Sequence, residues 1–366
     1  MARILVGMSG GVDSSVAAAL LVEAGHDVVG VFMRHGQPAL PGPLPVIDES
    51  HQGCCSVADA IDARRVADRL GIPLYALELS EDFSRIVDYF AEEYGRGRTP
   101  NPCVRCNTWL KFGRLFDYAD SIGAEFVATG HHARLQRVEQ AGGADGPPAL
   151  LRGRDRGKDQ SYVLFDVEPA ALSRMLLPVG ELLKDEVRAR AADLGLAVAD
   201  KPDSQEICFV SPGDHARLVA HRLGGSRAGE IVDTANRPLG THDGIEHFTV
   251  GQRQGLGIAV GRPLYVVRID ADANRVVVGT ADEVPQANLV ASQARWLVPP
   301  PVGPFEAVVQ VRSARAAAPA VVTPLEGGRF AAEFSRETDL RPGAISPGQA
   351  AVCYVEDRLV GGGWID

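Results

Sequence analysis

Residues 4–24 read Ile4-Leu5-Val6-Gly7-Met8-Ser9-Gly10-Gly11-Val12-Asp13-Ser14-Ser15-Val16-Ala17-Ala18-Ala19-Leu20-Leu21-Val22-Glu23-Ala24, and this stretch decides the fold. The apolar run Ile4 to Met8 has the length and composition of a buried strand. Asp13 to Ala24 reads as a helix ended by Gly25. The turn between them, Ser9 to Ser15, therefore links a strand to a helix N-terminus, where backbone N–H groups converge on an anion. Gly10 and Gly11 permit close approach, and Ser9, Ser14 and Ser15 bring hydroxyl donors. The turn lacks the Gly-Lys-Ser/Thr ending of a Walker loop and the Gly-x-Gly-x-x-Gly of a dinucleotide site. The bland alternative is a tight turn with Asp13 as its cap.

Val28 to Met33 reads as a second strand and Ala58 to Leu70 as a helix, with Gly71 at its end and Pro73 beyond. Leu74 to Leu79 is a strand, Glu81 to Tyr94 and Asn107 to Ser121 are helices, and Phe126 to Thr129 is a strand. Such alternation predicts an α/β doubly wound parallel sheet. Gln37 to Ser50, rich in proline, is a loop placed beside the ligand site. Arg134 to Arg152 reads as a hairpin around Ala-Gly-Gly-Ala-Asp-Gly-Pro-Pro, and Glu181 to Leu194 as a helix closed by Gly195.

After Lys201-Pro202 the periodicity changes. Gly229 to about Thr280 is Gly-rich with short strands, and Phe305 to Trp364 alternates strands with turns at Glu326-Gly327-Gly328, Arg341-Pro342-Gly343 and Pro347-Gly348. The domains expected are 1–202, 203–284 as a small central β-rich domain, and 285–366 as a C-terminal β-barrel.

A chain of 366 residues with 45% hydrophobic content is long enough for two or three cores. Met-Ala-Arg runs directly into the first strand, leaving no room for a targeting peptide, and no stretch reaches the roughly 20 apolar residues of a membrane helix. A cytoplasmic protein without membrane association, acting as a monomer, is the expectation. The net charge of −10 argues against non-specific wrapping of nucleic acid. A local basic track remains: Arg96, Arg98, Arg105, Lys111 and Arg114 come with no acidic residue between Arg96 and Arg114, and Arg152, Arg154, Arg156 and Lys158 cluster again.

Six cysteines in a cytosolic chain point to reactive or metal-binding thiols rather than a disulfide framework. Cys103 and Cys106 stand at a helix start beside Arg105, where positive potential favours thiolate. A structural zinc half-site is the rival, but no second pair completes it. Cys208 taken alone reads as a small buried hydrophobe. That reading is firmer for Cys54 and Cys55, which open a helix, and for Cys353, inside an apolar strand. Trp109 and Phe112, at helical positions, read as core residues rather than base-stacking platforms.

Ser-Gly-Gly-Val-Asp-Ser resembles the signature of the PP-loop ATP pyrophosphatases, which cleave ATP between the α and β phosphates and adenylate their substrate. Several ordered segments narrow the resemblance to the tRNA-specific 2-thiouridylases of bacteria and mitochondria. They are Gly7 to Ser14, Val31-Phe32-Met33, Cys54-Cys55-Ser56, Thr99 to Asn107, Ala128-Thr129-Gly130-His131, Lys158 to Tyr162, Lys201 to Phe209 and Thr249 to Gly257.

The resemblance implies ATP contacts at Gly7, Met8, Ser9, Gly10, Gly11, Val12, Asp13, Ser14, Met33 and Gly130, with Mg²⁺ accompanying the nucleotide. It implies Cys106 as nucleophile and Cys208 as persulfide carrier. Asn101, Pro102 and Cys103 resemble the segment facing the target base. His131, Lys158, Asp159, Gln160, Gln349 and, more loosely, Arg312 resemble tRNA contacts. The implied partners are tRNA, through the wobble uridine of its anticodon loop, and a persulfide sulfur donor protein.

Many relatives carry Asp where this chain has Cys103, and that Asp is assigned a catalytic role in them. Cys103, Cys106 and Cys208 together make three thiolates, the number that would hold a 4Fe–4S cluster with one open iron to bind hydrosulfide. A Cys106–Cys208 persulfide relay is the favoured reading and the cluster the alternative. Two further rivals are a non-thiolating PP-loop synthetase and a non-catalytic RNA-binding protein with a structural metal.

Overall fold

A computed structural model describes residues 1–34, 56–137, 148–203, 207–210, 213–258, 260–335, 340 and 342–366. The chain forms two compact units. The first comprises Met1–Arg85, Cys103–Phe209 and Asp357–Leu359, and the second Ile86–Pro102, Val210–Glu356 and Val360–Asp366. The expected loop from Gln37 to Ser50, with Cys54 and Cys55, lies outside the described residues.

In chain order the first elements are β1 (Arg3–Gly7), α1 (Val12–Glu23), β2 (Asp27–Arg34), α2 (Val57–Leu70), β3 (Leu74–Glu78) and α3 (Ser80–Gly95). Then come α4 (Pro102–Arg105), a π-helical stretch Cys106–Arg114, α5 (Leu115–Ser121), β4 (Phe126–Ala128), β5 (Ala133–Gln136), β6 (Ala149–Arg152), β7 (Met175–Leu176) and α6 (Lys184–Asp193). Strands β3-β2-β1-β4-β7 form one sheet in that order. Its pairings are all parallel. The chain winds outward from β1 through β2 to β3 and then returns to β4, so the strand order reverses between β1 and β4. A doubly wound sheet opens its ligand crevice at such a reversal, beyond the carboxyl ends of the strands.

Helix α1 is apolar nearly all round, with Val16, Ala17 and Ala18 inaccessible, which suits a helix covered on several sides. It packs against α2 and α6. The core there joins Ile4, Val6, Met8, Val16, Phe32, Val66, Val187 and Val198. Each such apolar side chain contributes about 1.5–3 kcal/mol on full burial. Helix α2 starts at the capping box of Ser56 and Asp59 and stops at Gly71, whose φ of 68° suits the left-handed cap.

The expected single helix from Asn107 to Ser121 is instead the π-helical stretch and α5 in series, preceded by α4. The backbone leaves helical geometry at Phe112 (φ −112°, ψ 17°), beside Gly113, the weakest helix former in the run. Helix α6 begins at Lys184 rather than Glu181, because Glu186 reaches back to the N–H of Leu183 at 2.7 Å and fixes the start there. The expected hairpin is present as β5 and β6, with its tip outside the described residues.

The second unit holds α7 (His215–Leu223), β8 (Gly229–Asp233), β9 (Pro238–His242), β10 (Tyr265–Asp270) and β11 (Arg275–Gly279), the strands forming a sheet in the order β10-β11-β8-β9. It continues with β12 (Asn288–Trp296), β13 (Phe305–Gln310), β14 (Ala318–Leu325), β15 (Arg329–Phe334), β16 (Ala350–Val355) and β17 (Arg358–Ile365). These run β12-β15-β14-β13-β16-β17, and β17 returns to β12, closing a six-stranded barrel as the alternating pattern predicted. Its interior includes Val309, Val322, Phe330 and Cys353. Among the described residues no helix is long and apolar enough to cross a membrane.

Candidate active site

The loop after β1 and the loop after β4 meet at the strand-order reversal. A Cβ on Gly130 would stand 2.4 Å from the backbone nitrogen of Ser14, so only glycine lets the two loops touch. Gly10 has φ +75°, and a Cβ there would lie 2.3 Å from the Asp59 carbonyl oxygen. The expected anion loop is therefore held by backbone from both sides.

The serines behave differently from one another. Ser15 donates to the Gly11 carbonyl at 2.8 Å and Ser14 to the same oxygen at 3.1 Å, and both are buried. Ser14 Oγ also receives the N–H of Ser9 at 3.2 Å. The expected hydroxyl donors of Ser14 and Ser15 thus stiffen the loop, Ser9 Oγ lies 3.2 Å from Ser14 Oγ, and backbone N–H groups at the start of α1 remain as donors for an anion. No side chain caps that helix; its cap residue is Gly11.

Asp13 is not the cap. Its two carboxylate oxygens each lie 2.7 Å from Nζ of Lys184, and Oδ1 lies 3.0 Å from Nε2 of His132. Burial pushes the carboxyl up, but the hydrogen bonds of His132 and Lys184 outweigh it and hold Asp13 below its ordinary value. Lys184 also bonds Oδ1 of Asp203 at 2.8 Å. Asp203 in turn takes Lys158 at 2.7 Å and Arg188 at 3.0 Å. Burial raises its carboxyl, yet the bonds from Lys158 and Lys184 bring it down to about 2. Lys201 bonds the Gly10 carbonyl at 3.0 Å, Asp59 at 2.8 Å and Asp62 at 2.6 Å. Burial opposes its charge, and those two carboxylates overcome that and raise its pKa.

Lys184, Lys201, His132, Asp59, Asp62 and Asp203 belong to this site, and sequence reading did not single them out. The available signals were slight: a lysine opening α6, a Lys-Pro-Asp at the end of the α/β pattern, and a second histidine after His131.

The residues expected to touch tRNA are engaged within their own units. His131 is 6% exposed and shares a 2.7 Å bond between Nδ1 and Thr129 Oγ1. Burial, then the charges of Lys111 and His132, push its pKa well below the usual imidazole value. Asp159 accepts from Arg152 at 3.1 Å and from the N–H groups of Gly153 and Ser161, each at 3.0 Å. Gln160 accepts the N–H of His132 at 2.9 Å. In the second unit Gln349 donates to the carbonyls of Thr99 at 3.0 Å and Pro100 at 3.1 Å. Arg312 donates to Val250 O at 2.9 Å and Ser346 Oγ at 2.6 Å. Asn101 and Pro102 are buried, and Met33 is half-buried on β2.

Cys103 is exposed on α4, Cys106 is half-buried where the π-helical stretch begins, and Cys208 is half-buried after the Lys201–Asp203 segment. Arg105, between the first two thiols, is held by Asp166 at 3.0 Å. Phe209 sets its ring edge-on to Phe83 at 5.3 Å. Cys353 is inaccessible inside the barrel, and burial drives its thiol pKa far up, as its apolar context predicted. Among the described residues no three His, Cys, Asp or Glu side chains converge as a metal-binding group.

A family model described as "tRNA methyl transferase HUP domain" matches residues 2–212, a "tRNA methyl transferase PRC-barrel domain" model matches 217–280, and an "Aminomethyltransferase beta-barrel domain" model matches 286–365. A tRNA-specific 2-thiouridylase MnmA from Rhodopirellula baltica is 48% identical over 392 residues, covering 100% of this chain and 96% of that protein. A relative of the same name from Geobacter metallireducens is 47% identical over 369 residues, covering 100% and 96%. One from Acidothermus cellulolyticus is 47% identical over 364 residues, covering 98% and 96%. Among solved structures, a 4-thiouridine synthetase–RNA complex with bound ATP gives a TM-score of 0.34 at 15% identity over 61% of this chain and 53% of that one, too weak to carry an argument.

Proposed function

We propose a function from the premise that this chain belongs to the family of tRNA-specific 2-thiouridylases: it is an ATP-dependent sulfurtransferase that converts the wobble uridine of tRNA to 2-thiouridine. The observation that carries this is the presence, in one folded unit, of a phosphate loop and three accessible thiols in a chain whose relatives match it from end to end. The domain-model descriptions speak of methyl transfer. We follow the full-length relatives, because a phosphate loop and paired thiols serve adenylation and sulfur transfer.

O2 of uracil is a poor leaving group, so it is activated first. ATP, with Mg²⁺, lies with its phosphates against the backbone N–H groups of Gly10 to Ser14. O2 attacks the α-phosphorus and pyrophosphate leaves, with the loop dipoles stabilising its charge. Lys184 offsets the Asp13 carboxylate, which would otherwise repel the polyphosphate. A sulfur donor protein has loaded Cys208 as a persulfide. The Cys106 thiolate attacks the Cys208 sulfur, forming a Cys106–Cys208 disulfide and expelling hydrosulfide. Hydrosulfide adds at C2, loses its proton, and AMP departs. A thiol reductant then supplies two electrons to reopen the disulfide.

An anticodon-loop base is single-stranded and is read on its edges, so recognition does not require a basic surface overall. Of the expected basic track, Arg96 and Arg98 pair with Glu93, Arg105 with Asp166 and Arg114 with Asp82. The roles of Lys158, Asp159, Gln160, His131, Arg312 and Gln349 toward tRNA, and action as a cytoplasmic monomer, are part of this proposal. The relay is preferred to the cluster because the resemblance makes Cys106 the nucleophile and Cys208 the persulfide carrier. The test is tRNA-dependent release of pyrophosphate from ATP by the purified chain. A non-thiolating synthetase would release pyrophosphate without tRNA, and a binding protein would release none.

A further inference from the structure

We propose that Trp109, with the guanidinium of Arg85 over its ring, is a stacking platform for an unpaired nucleotide of the RNA substrate; this rests on the RNA-thiolation reading above. Its helical position placed Trp109 in the core. The structure instead leaves it half-buried, while Phe112, three residues on, is 6% exposed. Trp109 follows Cys106 by three residues along the same π-helical stretch, so both stand on one short element.

Two guanidiniums lie over this indole, Arg105 at 5.2 Å and Arg85 at 5.4 Å from Cζ to the ring centroid. They are held differently. Arg105 is fixed by Asp166, itself 7% exposed. Arg85, on α3, is exposed and forms no ion pair among the described residues; nearby Asp82 is taken by Arg114 at 2.9 Å. Apart from the indole, the Arg85 guanidinium thus has no ion-pair partner among the described residues.

That combination fits a nucleotide. Unpaired bases stack on aromatic rings and on guanidinium planes alike, and an arginine beside the ring also meets the backbone phosphate. A duplex hides its base faces, so the platform selects loop nucleotides. A protein partner would call for a wider apolar patch, and the side chains over the indole are two arginines.

The test uses the full chain and an anticodon stem-loop RNA with uridine at the wobble position. The chain has three tryptophans, so Trp296→Phe with Trp364→Phe leaves Trp109 as the reporter. The stem-loop should quench it and a blunt RNA duplex should not. Because those two replacements touch the barrel, affinities are also measured in single variants of the otherwise native chain. Trp109→Ala should weaken stem-loop binding by about 5- to 150-fold, the worth of one stacked base, with binding of a non-hydrolysable ATP analogue unchanged. Trp109→Phe should stay within about threefold, since it keeps a stacking face. Arg85→Gln should lower the slope of affinity against salt by about one. Native affinity in Trp109→Ala, or an unquenched Trp109 with RNA bound, overturns the platform alone. Failure of the native chain to bind the stem-loop at all overturns the RNA-thiolation reading with it.

Discussion

The Nζ of Lys184 lies 2.7 Å from both carboxylate oxygens of Asp13 and 2.8 Å from Oδ1 of Asp203. An ammonium has three protons, and these acceptors use all of them. One nearly buried cation thus serves the phosphate loop and the segment that leads to Cys208.

Replacing Lys184 with methionine leaves two carboxylates short of a partner. Breaking a buried pair costs about 3–5 kcal/mol. The lower end applies here, because Asp13 keeps His132 and Asp203 keeps Lys158 and Arg188. Urea denaturation of Lys184→Met should show a loss of about 3 kcal/mol, with weaker ATP binding. A change within the error of the native midpoint would contradict the shared-cation arrangement.

Acid should destabilise the chain in two steps. His131 is held neutral in the fold, with its pKa well below 6.5, so its contribution is complete above 6.5 and is lost as pH falls beneath that value. Asp203 titrates at about 2 folded against 3.8, so its contribution is complete above 3.8 and is lost as pH falls toward 2. Urea midpoints measured from pH 7.5 to pH 3 should decline first below about 6.5. In His131→Asn that first decline should shrink while the second stays.

Gly130→Ala puts a methyl 2.4 Å from the Ser14 nitrogen. Neither loop has a flexible side chain at the contact that is able to yield. A backbone shift of this kind costs about 1–3 kcal/mol, and here it falls on the anion loop. Nucleotide affinity should drop by about tenfold or more while RNA affinity holds, as read by calorimetric titration of each ligand.

The thiols separate the two sulfur-transfer routes. Cys106→Ala and Cys208→Ala should each abolish thiolation and still release pyrophosphate on adding tRNA, because adenylation precedes sulfur transfer. Cys103→Asp should keep thiolation under the relay, since the relay does not use the Cys103 thiol. Loss of thiolation in Cys103→Asp, with iron and sulfide in anaerobically purified native protein, would favour the cluster.

The periodicity from Ile4 to Ala24 was enough to find the parallel sheet and its phosphate loop, because strand, turn and helix each leave a local pattern. The closed barrel was equally legible from regular alternation between glycine-rich turns. The π-helical stretch was not, since Cys106 to Arg114 carries an ordinary amphipathic pattern and only Gly113 hints at the break. Nor were Lys184 and Lys201, which sit far along the chain from the carboxylates they serve, and single lysines carry no periodic signal. Trp109 shows the same limit: its spacing fits a core position, and only the folded chain shows two arginines over it.

The most direct test of the central claim is reconstitution with purified chain, ATP, a persulfide donor and unmodified tRNA, followed by mass spectrometry of the digested nucleosides. The expected product is 2-thiouridine at the wobble position, in amounts matched by AMP and pyrophosphate, and none with Cys106→Ala. Wobble uridine recovered unchanged while ATP is consumed would contradict it.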